Sequence, residues 1–223
     1  MSLAIDLFWS FRSPYSYLAT RRLCALARDY ELDVNVRPVL PIAVRDPAFF
    51  ARANPLWVPY LLRDIRRIAE HEGMTIGWPR PDPVVQDLAN RRIPEEQPYI
   101  HRLTRLGALA AERGRGLALL DEVSRVIWDG SVDGWNRGTH LADAVARAGL
   151  DLAELDATAA RESARLDAVI AENQVALQKA GHWGVPTMAF EGEPFFGQDR
   201  IDLLVWRLEQ HGLRRRAPAE PGR

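Results

Sequence analysis

Four consecutive residues, Ser13-Pro14-Tyr15-Ser16, carry the spacing of a dithiol motif with oxygen in place of both sulfurs. A Cys-x-x-Cys pair works because a helix N-terminus stabilises the first thiolate and the second thiol resolves the mixed disulfide. Serines at both positions remove both steps. What stays is a hydroxyl donor at a helix start, suited to holding an anion that belongs to another molecule. Ser before Pro is also an ordinary helix cap, so residue types alone leave Ser13 open between a cap and a catalytic donor. Arg12, just upstream, either adds positive potential or pairs a substrate carboxylate, or is a solvated loop arginine. Ser16 packs or caps within the helix. Cys24 is the single cysteine of the chain and lies on the apolar stripe of Leu18, Leu23, Leu26 and Ala27, where it reads as a small buried hydrophobe. One cysteine excludes an intramolecular disulfide and fits a reducing compartment.

The elements that must position these groups follow from hydrophobic periodicity. Leu3 to Trp9 is a short apolar run and predicts a buried strand, the run from Tyr15 to Asp29 is helical with Pro14 in its first turn, and Leu32 to Val36 alternates as a strand. A right-handed crossover makes the two strands parallel. From Asp46 to Ala180 the pattern is helical. Tyr60, Leu61, Ile65, Ile68 and Ala69 line one helix ending near Gly73, and Leu117, Leu120, Val123, Ile127 and Trp128 line another ending near Gly130. Further helices are expected over 99–113, 141–148 and 162–180, with a proline-rich ordered loop over 77–98. Thr187-Met188-Ala189-Phe190 and Pro194-Phe195-Phe196 predict a hairpin, and Asp199 opens a last helix closed by Gly212. The order β-α-β, helices, β-β-α is an α/β, thioredoxin-like topology with a large all-helical insertion. Residues 1–45 and 181–213 are expected to form the discontinuous thioredoxin-like domain and 46–180 the helical insertion. Residues 214–223, with Arg214-Arg215-Arg216 beside Ala-, Pro- and Gly-rich positions, are expected to form a loose solvated tail.

The 223 residues contain 29 basic and 30 acidic side chains, with 47% hydrophobic and 26% charged, an ordinary balance that argues against nucleic-acid or anionic-membrane binding. No apolar run approaches the ~18 residues of a membrane span, and the N-terminus lacks the basic segment, apolar core and cleavage site of a signal peptide, so a cytoplasmic location is expected. The histidines are scattered, and neither a His-Glu-x-x-His nor a Gly-x-x-x-x-Gly-Lys motif occurs. Gly114-Arg115-Gly116 lacks the third glycine of a dinucleotide fingerprint, and no metal or nucleotide cofactor is expected.

Three runs, Ser13-Pro14-Tyr15-Ser16-Tyr17-Leu18-Ala19, Gly184-Val185-Pro186-Thr187 and Phe196-Gly197-Gln198-Asp199-Arg200, together resemble the signatures of one family. It comprises the 2-hydroxychromene-2-carboxylate isomerases and kappa-class glutathione transferases, relatives of the bacterial disulfide oxidoreductases. In order and spacing the resemblance spans nearly the whole chain. It implies glutathione as cofactor, with Ser13 facing its sulfur as the catalytic hydroxyl. The backbone of Val185, before a cis Pro186, would pair with the cysteinyl part like an added strand. Asp199 would bind the α-amino group of the γ-glutamyl end, or else serve as an N-cap or first-turn acid of the last helix. Backbone N–H groups near Gln198 would hold the γ-glutamyl carboxylate, and Asn54 would stand near the ligand. Trp57 occupies the position of a family lysine, a departure that bears on the glycine carboxylate of glutathione and on the second substrate. Arg12 and Trp57 are therefore substrate-binding candidates. His182 and Trp183 are expected in the core or on the rim. Trp57, Trp78, Trp128 and Trp135 either line an apolar second-substrate site or pack the core.

The energetics are within reach of such a site. Lowering a thiol pKa from about 8.5 by about two takes roughly 2.7 kcal/mol of preferential interaction. Helix-end electrostatics of about 0.3–1 kcal/mol and a charged hydrogen bond of about 1.5–3 kcal/mol supply it. By resemblance, glutathione thiolate adds to the electrophilic double bond of an aromatic or chromene-type acid, rotation follows, and elimination returns glutathione. The activity implied is glutathione-dependent isomerisation in aromatic compound catabolism. Stopping at the adduct would make a kappa-type transferase, and a homodimer is implied. A non-catalytic thioredoxin-like binding module is the alternative that Trp57 favours.

Overall fold

The computed structural model describes residues 2–87 and 92–217. Strand β1 (Leu3–Trp9) leads into helix α1 (Pro14–Asp29) and strand β2 (Leu32–Pro38). Helices α2 (Ile42–Arg45), α3 (Phe49–Arg52), α4 (Trp57–His71), α5 (Ile100–Glu112), α6 (Gly116–Trp128), α7 (His140–Arg147), α8 (Leu152–Arg161) and α9 (Ser163–Lys179) follow. Strands β3 (Thr187–Phe190) and β4 (Glu193–Phe196) form a hairpin, and a 3-10 turn at Gln198–Arg200 enters helix α10 (Ile201–Gln210). The sheet order is β2-β1-β3-β4, with β1 parallel to β2 and antiparallel to β3. This is the α/β, thioredoxin-like arrangement expected from the periodicity.

Strand β1 is central and covered on both faces, and its alternating side chains enter two different cores. Ile5, Leu7 and Trp9 join the large cluster that holds Leu18 and Leu23 of α1, whereas Phe8 packs with Val39, Leu177 and Ala189 under the end of α9. The large cluster runs without a break from β1 and α1 into Leu106, Leu109, Leu120, Trp128 and Leu166 of the intervening helices. Those helices therefore cover the sheet and α1 directly.

Buried indole N–H groups fix the turn that follows β1. Trp9 Nε1 donates to Ser16 O at 3.1 Å and lies 3.2 Å from Thr20 Oγ1, and Trp128 Nε1 donates to Phe11 O at 2.9 Å. Trp135 Nε1 donates to Pro81 O at 2.7 Å. Trp128 and Trp135 are thus core side chains with satisfied donors, and only Trp57 and Trp78 of the four tryptophans reach solvent. The loop after α4 is tied to the end of α6, where a Cβ on Gly77 would sit 2.9 Å from Gly130 Cα, so glycine is what lets the two backbones cross.

The structure differs from the sequence reading in four places. α8 was not singled out; Asp151 caps it by accepting from Glu154 N–H at 2.8 Å, but ten residues carry little periodic signal. α2 and α3 are single turns, too short for any period to show. The last helix begins as a 3-10 turn at Gln198, and the α-helix proper starts at Ile201. The start of the expected loose tail is paired: Glu31 N–H donates to Arg214 O at 2.8 Å and Arg216 N–H to Asp29 O at 2.9 Å. Backbone groups left open at the α1–β2 turn find partners there. Residues 218–223, and 88–91 of the proline-rich loop, lie outside the described residues.

Burial first, then the charge of Asp121, pushes the Cys24 thiol up to about 12, and burial pushes the Tyr17 phenol up to about 12. Both groups stay protonated in the folded chain at pH values where the unfolded chain has lost those protons. Their contribution to stability is complete below pH 9 and is lost as pH rises toward 12. Urea midpoints should fall between pH 8 and pH 10.5, and Cys24→Ala should flatten that slope; a parallel slope in the variant would contradict the assignment.

Candidate functional site

Ser13 sits at the C-terminal end of β1 as the N-cap of α1. Its Oγ accepts from Ser16 N–H at 3.2 Å and donates to Val185 O at 3.1 Å. The Val185–Pro186 bond is cis, and Gly197 N–H donates to Pro186 O at 2.9 Å. The start of α1, the loop before β3 and the turn before α10 therefore meet at one place. Ser13 is the cap of α1, and because a cap accepts through a lone pair its proton stays free to donate. Ser16 is fully buried, and its hydroxyl has no hydrogen-bond partner among the described residues.

Asp199 is an acid of the first turn of the 3-10 helix rather than an N-cap, and no side-chain cap bond forms there or at α10. Its carboxylate is exposed and pairs with Arg200 at 2.7 Å. Gln198 is buried, and its carbonyl accepts from Arg22 Nη1 at 3.3 Å, so its backbone is anchored from behind. Asn54 Oδ1 accepts from Leu56 N–H at 2.9 Å and shapes the entry to α4, while its amide nitrogen makes no hydrogen bond among the described residues. Trp57 packs against the rings of Phe49 and Phe50, each at 5.7 Å.

Arg12 is neither a solvated loop arginine nor a free cation. Its guanidinium forms a two-pronged pair with Asp82, Nη2 to Oδ2 at 2.7 Å, and lies 4.6 Å from the Trp78 ring and 5.7 Å from that of Trp128. Asp82 also accepts from Val84 N–H at 2.9 Å, so the carboxylate organises its own loop while holding the arginine. Asp82 fills the Nε–Nη2 side of the planar fork and so fixes the position of the guanidinium beside Ser13.

Several neighbours escaped sequence reasoning. Tyr15 OH donates to Asp64 Oδ2 at 2.9 Å, and Tyr60 OH lies 3.3 Å from Asp64 Oδ1. Burial, then the bond to Asp64, raises the Tyr15 pKa far above its ordinary value and keeps the phenol protonated. The Tyr60–Asp64 spacing of four was a visible signal for that pair, whereas Tyr15, on another helix, had none. His182 stacks on Phe196 at 3.9 Å between ring centres, and Trp183 stacks on His182. Burial holds the His182 pKa down, and its Nδ1 accepts from Gly184 N–H at 2.9 Å. With Phe49 against Trp183 at 5.3 Å, these rings build an aromatic rim on one side of the cleft.

Two of the best-formed hollows lie elsewhere. One, of about 590 Å³, separates α5 from α9, and the other, of about 410 Å³, lies beside β1 and the end of α9. Neither is lined by Ser13, Val185 or Asp199. Among the described residues no cluster of His, Cys, Asp or Glu has metal-binding geometry, and no helix is long and apolar enough to cross a membrane.

Comparison with known proteins agrees with this geometry. Residues 4–209 match the family model of the DSBA-like thioredoxin domain. The chain is 24% identical to glutathione S-transferase kappa 1 of Rattus norvegicus over 219 residues, covering 92% of this chain and 90% of the relative. It is 31% identical to 2-hydroxychromene-2-carboxylate isomerase of Pseudomonas putida over 81 residues, 34% of this chain and 40% of that protein's length. A solved 2-hydroxychromene-2-carboxylate isomerase shares the fold with a TM-score of 0.71 at 21% identity, covering 94% of this chain and 96% of its own.

The clamp on Arg12 has a measurable consequence. Arg12→Lys keeps the charge but loses the fork and the flat stacking surface, and should destabilise the fold by about 1–2 kcal/mol in urea unfolding. It should also speed proteolysis within residues 77–87. Equal stability and equal cleavage would show the pair to be ornamental.

Proposed function

Because the chain belongs to the DSBA-like thioredoxin domain family yet has Ser13 and Ser16 where a dithiol would need sulfur, we propose that it is a cytoplasmic, homodimeric, glutathione-dependent isomerase. The reaction proposed is that of the 2-hydroxychromene-2-carboxylate isomerases, on an aromatic or chromene-type electrophilic acid. The observation that carries this reading is the Ser13 hydroxyl, capping α1 and aimed at the Val185 carbonyl across the cleft. The residues present fit glutathione. Val185 offers a carbonyl already facing a donor, Asp199 is exposed and free of any cap, and the Asn54 amide has unused donors.

When bound, glutathione supplies a thiolate nucleophile that adds reversibly to an activated double bond. The chain's own part is positioning and charge. The Ser13 hydroxyl, which donates to Val185 O in the free chain, would donate to the sulfur of a bound ligand, and Val185 O would accept its cysteinyl amide N–H. The N-terminus of α1 adds its positive end to the same spot. Asp199 would take the α-amino group, and Asn54 would meet the ligand from the turn between α3 and α4. The rings of Trp57, Trp183 and Phe196 offer flat apolar surface for an aromatic substrate. Similarity to the kappa-class transferase over most of both chains favours, as second reading, a transferase using the same groups.

Calorimetric titration with glutathione, followed by thiolate absorbance near neutral pH, tests the proposal. The wild-type chain should bind saturably with a thiolate signal. Ser13→Ala should lose that signal and about 10²–10³-fold of turnover on 2-hydroxychromene-2-carboxylate while keeping its fold. No binding at millimolar glutathione would leave a thioredoxin-like binding module as the better account. Sedimentation should give twice the monomer mass, and a monomer at working concentration would remove the dimer from the proposal.

A further inference from the structure

Arg45 ends α2 under the aromatic rim, in an unusual position for a charge. Its Nε donates to Leu40 O at 2.7 Å and its Nη2 to Trp183 O at 2.9 Å, so one nearby and one distant carbonyl hold the guanidinium in place. No carboxylate pairs with it among the described residues, and Nη1 makes no hydrogen bond there. Burial alone shifts its pKa downward. A partly buried cation held by neutral carbonyls lacks the counter-charge that normally offsets its desolvation. By contrast, Arg12, of comparable burial, has Asp82.

The direction of the cleft points to the missing partner. A peptide that adds to Val185 as a short strand, with its amino end at Asp199, lies near Pro186, because Gly197 N–H is bonded to Pro186 O. Its carboxyl end must run the other way, back along Gly184 toward Trp183. Only Gly184 stands between Val185 and Trp183, in the bend that leads to the cis Pro186, so the carboxyl end of a tripeptide seated on Val185 is directed toward the Trp183 carbonyl. At that end stands the guanidinium bonded to Trp183 O. Asn54 lies between α3 and α4, and Phe49 of α3 packs both on Trp57 of α4 and on Trp183.

Resting on the glutathione reading above, we propose that Arg45 is the residue that pairs with the glycine carboxylate of the bound tripeptide. It supplies from α2 the cation that Trp57 does not supply from α4.

The test compares glutathione with its glycine amide, which removes only the charge, on wild type, Arg45→Lys and Arg45→Gln by calorimetry. Wild type should prefer the acid by about tenfold or more, and Arg45→Gln should bind the two equally. Arg45→Lys should keep a preference for the acid. The ratio of the two affinities is the readout, and loosening of the Leu40 and Trp183 carbonyls would weaken both ligands alike without moving it. A preserved ratio in Arg45→Gln, with glutathione still bound, would overturn the role of Arg45 and leave the proposed function standing. Failure of wild type to bind either ligand would overturn both.

Discussion

The 3.1 Å hydrogen bond from Ser13 Oγ to Val185 O joins residues 172 apart in sequence and sets the spacing of the cleft. Every larger element bears on it. Ser13 is held by the first turn of α1 and Val185 by the loop entering β3, and β1 and β3 are direct neighbours in antiparallel register. The position of the bond is therefore a property of the sheet. Because it is a neutral hydrogen bond between a hydroxyl and a carbonyl, it contributes only about 0.5–1.5 kcal/mol net and is easily exchanged. The contact therefore holds the Ser13 hydroxyl in a fixed direction without binding it strongly.

The helices between β2 and β3 are attached to this constraint from the other side. Trp128 of α6 donates to Phe11 O, and Asp82 grips Arg12, so the two residues that precede Ser13 are both held by the inserted segment. Arg12 is largely shielded, with a side chain 14% exposed, and its fork is filled, which favours a real contribution to rigidity. Ion pairs further out, such as Arg113 with Glu154 or Arg165 with Glu112, are exposed enough that solvent screening leaves each of them little. What fixes the site is thus a short list of shielded contacts: two indole donors, one guanidinium and one cap.

Arginines in this chain divide by what faces them. Arg12 meets a carboxylate and is neutralised, whereas Arg45 meets two carbonyls and keeps its charge available. Composition cannot make that distinction, since both are single arginines beside short turns. It depends on which loop the fold lays over each one.

Much of the architecture was legible from the chain because it depends on local period. The apolar run Leu3–Trp9, the helical spacing after Pro14 and the hairpin on either side of Glu191-Gly192 are short-range patterns, and a period of 2 or 3.6 survives whatever packs on it. The Ser-Pro-Tyr-Ser spacing likewise placed a hydroxyl at a helix N-terminus and excluded dithiol chemistry without any coordinates. Tertiary structure alone decided what each polar group near that hydroxyl does. It assigned Arg12 to Asp82, Tyr15 to Asp64 and Arg45 to the Leu40 and Trp183 carbonyls, and it left the Asp199 carboxylate uncapped. Except for Arg45 with nearby Leu40, the pairings join residues 49 to 138 positions apart. A side chain's partner is set by the packing of whole helices against a sheet, which no window of neighbouring residues encodes.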